Sequence, residues 1–339
     1  MILRSTKALF KAMQISQIKF GVLICSIFAQ APCVAITQAA DYPAKPVRLV
    51  VPWPAGGGND IVARTLSQRL TENLGQPVVV DNRAGASGMI GTGLAAHSPA
   101  DGYTLLLGSV GPNAVLPNLA AKLPYDTLRD FTTVSLLANT FYVLVVNPSL
   151  PAATVKDLVA LAKSKPGQLT IGSSGSGTPA QMSGELFKAA TGIDITHVPY
   201  KGSAAPAIEV IGGQITMTIE SVSPLLPHIK AGRLRALGIT APKRSRQLPD
   251  VPTIAESGYP DVQVVGWYGM LAPTGTPPAI VTRLNRELTQ ILKLAEIRER
   301  LLSYGLEVVG STPAEFAAFR QADFAHWTKI VKTTNARLE

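Results

Sequence analysis

Leu49-Val-Val-Pro-Trp-Pro-Ala-Gly-Gly-Gly-Asn-Asp60 runs from a short apolar stretch through glycines into an amphipathic segment. Leu169-Thr-Ile-Gly-Ser-Ser-Gly-Ser-Gly-Thr-Pro-Ala-Gln181 repeats the arrangement further along the chain. Each reads as a strand, a glycine loop and a helix start. The backbone N–H groups of such a loop, together with the positive end of the helix dipole, attract anions. Two such devices in one chain predict a cleft that grips one small anion from both sides.

The flanking sequence agrees. Val62, Leu66, Leu70 and Leu74 recur every four residues; Asn59 or Asp60 can cap the start, and Gly75 with Pro77 closes the helix. After the second loop, Thr178-Pro-Ala-Gln181 reads as a full capping box, Met182, Leu186 and Ala190 as a buried stripe, and Gly192 as the stop. Thr154-Val-Lys-Asp157 and Thr312-Pro-Ala-Glu315 are further helix starts, and Ile280 to Leu302 reads as one or two helices. Strands are expected at Val47–Pro52, Val78–Val80, Thr104–Leu107, Tyr142–Val146 and Leu169–Ile171. Ile195–Val198, Ile215–Ile219, Leu234–Ile239 and Val262–Met270 complete the set. Short apolar runs alternating with amphipathic stretches predict an α/β fold.

Residues 1–40 read as a cleaved secretory signal. Arg4, Lys7, Lys11 and Lys19 precede an apolar run from Gly21 to Phe28 that is too short to span a bilayer, and Ala35, Ala39 and Ala40 offer cleavage positions. A periplasmic, soluble product is expected. Both cysteines, Cys25 and Cys33, fall inside that signal and fit a lipobox poorly. The mature chain therefore has no disulfide, thiolate metal site or cysteine nucleophile. Removing the signal lowers the formal charge from +9 to +5, with no basic block that suggests nucleic acid. The remaining chain exceeds what one core usually serves, so two lobes are expected. Turn-rich Asn147–Pro151 and Ala272–Pro278 place the crossings at the strands before them. The boundaries that follow are residues 41–142 and 265–339 for lobe 1 and 143–264 for lobe 2. Such a double crossing makes a hinge.

Catalytic patterns are sparse. The chain has four histidines (His97, His197, His228 and His326), no His-Glu-x-x-His, no Gly-x-Ser-x-Gly elbow and no Walker lysine. His197 with Glu220 would form an acid–base pair only if the fold brought them together. The glycine loops carry more. Gly56 and Gly57 belong to the first. Ser173, Ser174, Gly177 and Thr178 surround the second, adding hydroxyl donors that suit a carboxylate. Gly85-Ala-Ser-Gly88 (with Ala86 and Ser87) and Ser109-Val-Gly-Pro-Asn113 are polar loops after further strands. Ligands in open α/β sheets sit at the carboxyl ends of strands, where these four loops are expected.

Pro52–Asp60, Val80-Asp-Asn-Arg-Ala-Gly-Ala-Ser-Gly88 and Ala100-Asp-Gly-Tyr-Thr-Leu105 resemble the Bug-type extracytoplasmic receptors of tripartite tricarboxylate transporters. The likeness extends through Gly172–Thr178, His197-Val-Pro-Tyr-Lys-Gly202, Leu226–Ala236 and Gly266-Trp-Tyr-Gly269, covering nearly the whole mature chain. The resemblance implies a two-lobed periplasmic-binding-protein type II fold with a hinge of two crossing strands and a ligand cleft between the lobes. It further implies that ligand contacts come from Trp53 to Asp60, including Ala55, and from Ala84 to Ser87. Opposite these it sets Ser173–Thr178 and Tyr200–Gly202, Tyr200 through its hydroxyl. Ile219-Glu-Ser221 departs from the family pattern, in which aspartate is common; a Glu220 reaching the cleft would shorten it and favour an amine or hydroxyl on the ligand. Asp60 most simply stabilises its own helix start.

The expected protein is a solute receptor, not an enzyme. It needs no cofactor or metal, captures a small organic carboxylate by lobe closure and delivers it to a membrane permease, docking as a monomer. A periplasmic lyase or dehydratase on the same scaffold, and a sensing or adaptor protein with a membrane partner, are the alternatives.

Overall fold

The computed structural model describes residues 42–334 and residue 338, so the signal segment, with Cys25 and Cys33, lies outside the described residues. Ten strands form one sheet: β1 (Val47–Val51), β2 (Val78–Asn82), β3 (Thr104–Ser109), β4 (Phe131–Val146), β5 (Thr170–Ser173), β6 (Thr196–Pro199), β7 (Met217–Ser221), β8 (Arg235–Ile239), β9 (Val265–Pro273) and β10 (Glu307–Val308). The helices are α1 (Gly58–Leu74), α2 (Met89–Ala96), α3 (Leu116–Leu119), α4 (Val155–Ser164), α5 (Pro179–Thr191), α6 (Ala205–Ile211), α7 (Val222–Lys230), α8 (Pro278–Lys293), α9 (Ala295–Ser303) and α10 (Pro313–Thr334).

The strand order is β2-β1-β3-β9-β4-β7-β5-β6, with β8 and β10 pairing to β4. β1 runs parallel to β2 and β3, and β5 runs parallel to β6 and β7. Between these parallel sets stands β4, antiparallel to all its partners. Its Phe131–Phe141 portion pairs β9, whereas Tyr142–Val146 pairs β7. Side chains alternate across β4 as the pleat requires. Tyr142, Leu144 and Val146 enter the larger core with Phe187, Trp267 and Phe316, and Phe141, Val143 and Val145 enter a second cluster with Val210 and Leu225. Each such buried aliphatic contributes roughly 1.5–3 kcal/mol by transfer from water.

Three local readings differ from the structure. The strand expected at Tyr142–Val146 starts at Phe131. Its polar first half does not look like a core strand, yet its hydroxyls are satisfied from far away: Thr133 Oγ1 donates to Pro313 O (2.8 Å) and Ser135 Oγ to Ser311 O (2.9 Å). Neither Asn59 nor Asp60 caps α1; Gly57 occupies that position and no side chain bonds there. The box at α5 is half formed. Gln181 N donates to Thr178 Oγ1 (3.3 Å), but the Gln181 side chain reaches back past Thr178 to accept from Gly177 N (2.7 Å). Thr154 and Asp157 do complete their box, and α1 and α5 end on left-handed Gly75 and Gly192. The Ile280–Leu302 region is two helices, α8 and α9, broken at extended Leu294. The two-residue β10 carries no sequence signal.

Candidate functional site

A cavity of ≈ 220 Å³ opens at the carboxyl ends of β1, β3, β5 and β7, where open α/β sheets bind ligands. On one wall, β1 delivers Trp53, Pro54 and Ala55, followed by the start of α1 at Gly57, Gly58 and Asn59. Trp53 Nε1 donates to Ser109 Oγ (3.1 Å), joining the loops after β1 and β3. Asn59 Nδ2 donates to Leu107 O (3.3 Å), which fixes the first turn of α1 against the end of β3. A side chain at position 58 would place its Cβ 2.1 Å from Tyr268 Oη, so only glycine lets the helix start approach this wall. Among the described residues, no acceptor takes the N–H groups of Gly57, Gly58 or Asn59. The open first turn of α1 therefore presents bare donors and its positive dipole end at the cavity.

Asp60 holds this loop from behind. Its Oδ2 accepts from Gly56 N (3.0 Å) and Arg64 Nε (2.9 Å), and its Oδ1 from Asn82 Nδ2 (3.0 Å). Burial opposes the charge, but the Arg64, Gly56 and Asn82 bonds prevail and hold the carboxyl below the usual range. Asp60 and Gly56 do not line the cavity; together they shape the loop that does.

The opposite wall comes from the second glycine loop and from β7. Ser174 and Thr178 line the cavity, and so does Glu220 at the end of β7, only 2 % exposed. Here three of the loop amides already have acceptors. Ser174 N donates to Glu220 Oε2 (3.0 Å), Gly175 N to Ser173 Oγ (3.2 Å) and Gly177 N to Gln181 Oε1 (2.7 Å). Ser173 lies beneath the surface, with its Oγ 2.7 Å from His197 Nε2. Glu220 Oε1 also accepts from Ser221 N (2.7 Å). Burial pushes the Glu220 carboxyl up to about 7, against the lowering effect of its Ser221 and Ser174 bonds.

Of the residues singled out from sequence, Trp53, Ala55, Gly57, Ser109, Ser174, Thr178, Gly202 and Glu220 come together on this cavity. Ser173, Gly177 and Tyr200 do not line it. The Tyr200 ring packs toward the second core cluster and over Gly172, and its hydroxyl is raised by burial and by Glu209. Ala86 and Ser87 sit outside it as well, both with positive φ (45° and 52°), a conformation that costs non-glycine residues on the order of 1–3 kcal/mol each. What they provide is a clasp: Ser87 Oγ donates to Ser176 O (2.5 Å), tying the loop after β2 to the second glycine loop.

Sequence reasoning missed Thr140, Tyr142, Ser203, Ser221 and Tyr268, which also line the cavity. Tyr142 and Tyr268 sit in runs of apolar residues and read as core. Tyr142 meets Gly266 only in the folded protein, so no signal in the sequence marked it. Trp267 also faces the cavity while its Nε1 donates to Asp323 Oδ2 (2.8 Å).

A sheet whose two parallel sets are joined through β4, with a ligand-sized cavity at the strand ends between them, defines a periplasmic-binding-protein fold of the two-lobed type. The sequence matches the family described as "Tripartite tricarboxylate transporter family receptor" over residues 62–336, and the chain belongs to that family. It is 40% identical over 318 residues to Protein BugT of Bordetella pertussis, covering 93% of this chain and 98% of that one. Among solved structures, R. palustris Rpa4515 with adipate is similar at 38% identity and a TM-score of 0.85, covering 88% of this chain and all of that one (100%). MatC from Rhodopseudomonas palustris, with bound malate, matches at 31% identity and a TM-score of 0.82, covering 86% and 100%. The family and fold expected from the motifs are thus the ones found.

Proposed function

We propose that the protein is a periplasmic receptor that captures a small organic carboxylate in this cavity and delivers it to a tripartite tricarboxylate-type permease. The observation that carries the reading is the uncapped first turn of α1, whose amides at Gly57, Gly58 and Asn59 face the cavity without acceptors among the described residues. A carboxylate satisfies those donors and the helix dipole together. Relatives that hold adipate and malate support the same ligand class.

Capture works by closure of two lobes, 41–142 with 265–339 against 143–264. The exchange of partners along β4 between Phe141 and Tyr142, and the start of β9 at Val265, support those boundaries. Contacts such as Ser87 to Ser176, and Pro54 against Gly202, span the mouth and hold the closed form around the ligand. The closed monomer docks transiently on its permease, and residues 1–40 direct export. No cofactor takes part, and the site is for binding rather than turnover. The lyase alternative would use His197 and Glu220 as a pair, but His197 is engaged with Ser173, while Glu220 holds the Ser174 and Ser221 amides.

A thermal-shift screen against small carboxylates tests the reading. A ligand at about 100 times its Kd adds roughly 2.7 kcal/mol, which raises Tm by about 4 °C in a chain of this size. No shift with any carboxylate, in folded protein stripped of bound ligand, sinks it.

A further inference from the structure

A second cavity, of ≈ 230 Å³, lies behind β4. Along that strand Thr140 and Tyr142 line the carboxylate cavity, and the pleat turns Asn139 and Phe141 the opposite way, into the second one. Phe141 pairs with Val265 of β9 and Asn139 with Glu307 of β10, so these four residues share one face of the sheet. Thr140 lines both cavities, which leaves a single strand between them. The loop after β8, residues 241–245, supplies the remaining wall. The strand side of the cavity thus belongs to 41–142 with 265–339 and the loop side to 143–264, on either side of the same crossing.

The polar groups of this cavity are unsatisfied on both sides. Asn139 Oδ1 is buried and, among the described residues, has no hydrogen-bond partner, so it is an acceptor in need of a donor. Its cross-strand neighbour Glu307 forms no ion pair among the described residues. On the loop side Lys243 is likewise unpaired, whereas Arg244 is held by Glu256 (Nε to Oε2, 2.9 Å) and by Pro249 O (3.3 Å from Nη1). Ser245 Oγ accepts from Gln247 N (3.2 Å) and keeps its own proton to donate. An acceptor and a negative charge therefore face a positive charge and a hydroxyl donor, and neither a simple anion nor a simple cation satisfies both.

We propose that this cavity is a second binding site, for a small ω-amino carboxylate. The ligand ammonium rests on Asn139 and Glu307, and its carboxylate rests on Lys243 and Ser245. The cavity is open in the form whose mouth is clasped in front. Opening the front would swing the rear walls together, so a molecule lodged between them favours the closed form. Carboxylate and zwitterion then raise each other's affinity by the same factor. The site stands on the cavity's own residues; the coupling alone rests on the lobe-closure reading.

Amide and side-chain NMR shifts of the mature protein, titrated with γ-aminobutyrate and δ-aminovalerate up to about 10 mM, test the site. Saturable shifts are expected at residues 139–141, 241–245, 265 and 307. Lys243→Gln and Glu307→Gln should each weaken binding about tenfold or more. Asn139→Leu should weaken it too while the protein melts no earlier, because an unpaired buried acceptor is removed. No saturable shift at these residues with either probe overturns the proposal. Equal shifts with butyrate or butylammonium overturn it as well, and so does undiminished binding in both charge variants. For the coupling, calorimetry should find adipate or malate bound about fivefold or more tightly in the presence of the zwitterion. Unchanged affinity overturns the coupling and leaves the site, and failure of both dicarboxylates to bind counts against the receptor reading and takes the coupling with it.

Discussion

The loops after β1 and β5 share composition and setting, yet they meet an incoming anion in opposite ways. At the first, Gly57 stands where a capping side chain would be, and the amides that follow open onto the cavity. At the second, Glu220, Ser173 and Gln181 accept from Ser174, Gly175 and Gly177 before any ligand can. One wall offers donors and the other offers a carboxylate. A glycine-rich helix start is thus an anion site only where no side chain of the same fold reaches its amides first, because buried donors take the nearest acceptor available.

Substitutions can break this contrast or sharpen it. Gly58→Val should have the largest effect. Its Cβ meets Tyr268 Oη and blocks approach to the open helix start. Carboxylate affinity, measured by calorimetry on the folded protein, should fall by roughly 100-fold or more, about 2.8 kcal/mol. Normal binding would take the α1 start out of the site. Gly177→Val probes the other loop, where φ is +75° and a Cβ would lie 2.3 Å from Leu116 Cδ2. It should lower stability by about 2–4 kcal/mol in denaturant melts, with the affinity of the folded fraction kept. Lost affinity at unchanged stability would make the second loop a ligand contact and erase the difference between the two. The smallest effect belongs to Gln181→Leu, which leaves the Gly177 amide without its acceptor and should cost about 1 kcal/mol. Faster hydrogen exchange at Gly177 is the direct readout, and an unchanged rate would show that Gln181 does not fill the loop.

Much of this architecture is legible along the chain. The inner strands β1, β3 and β7 announce themselves as short apolar runs, because both of their faces are covered. The first half of β4 does not, since Thr133 and Ser135 look unfit for a core until the chain near Ser311 and Pro313 supplies their acceptors. The same limit applies at the site. Trp53, Gly57, Ser174 and Glu220 were readable as a cleft, but Tyr200 looks equally suited and turns its ring toward the second core cluster. Tyr142 and Tyr268 look like core and reach the cavity.

The motifs that resemble the Bug-type receptors were enough to indicate the family, and local chemistry was enough to establish the alternation of strands and helices and the helix ends at Gly75 and Gly192, where the left-handed backbone favours glycine. It was also enough to mark Thr154 as a cap, because its partner Asp157 is three residues away. Which glycine loop keeps its amides free is another matter. The acceptor that occupies Ser174 is Glu220, 46 residues further along and on a different strand. Hydrogen-bond donors are assigned by proximity in space, and until β7 is laid beside β4 and β5, nothing in either loop distinguishes the open donor set from the filled one.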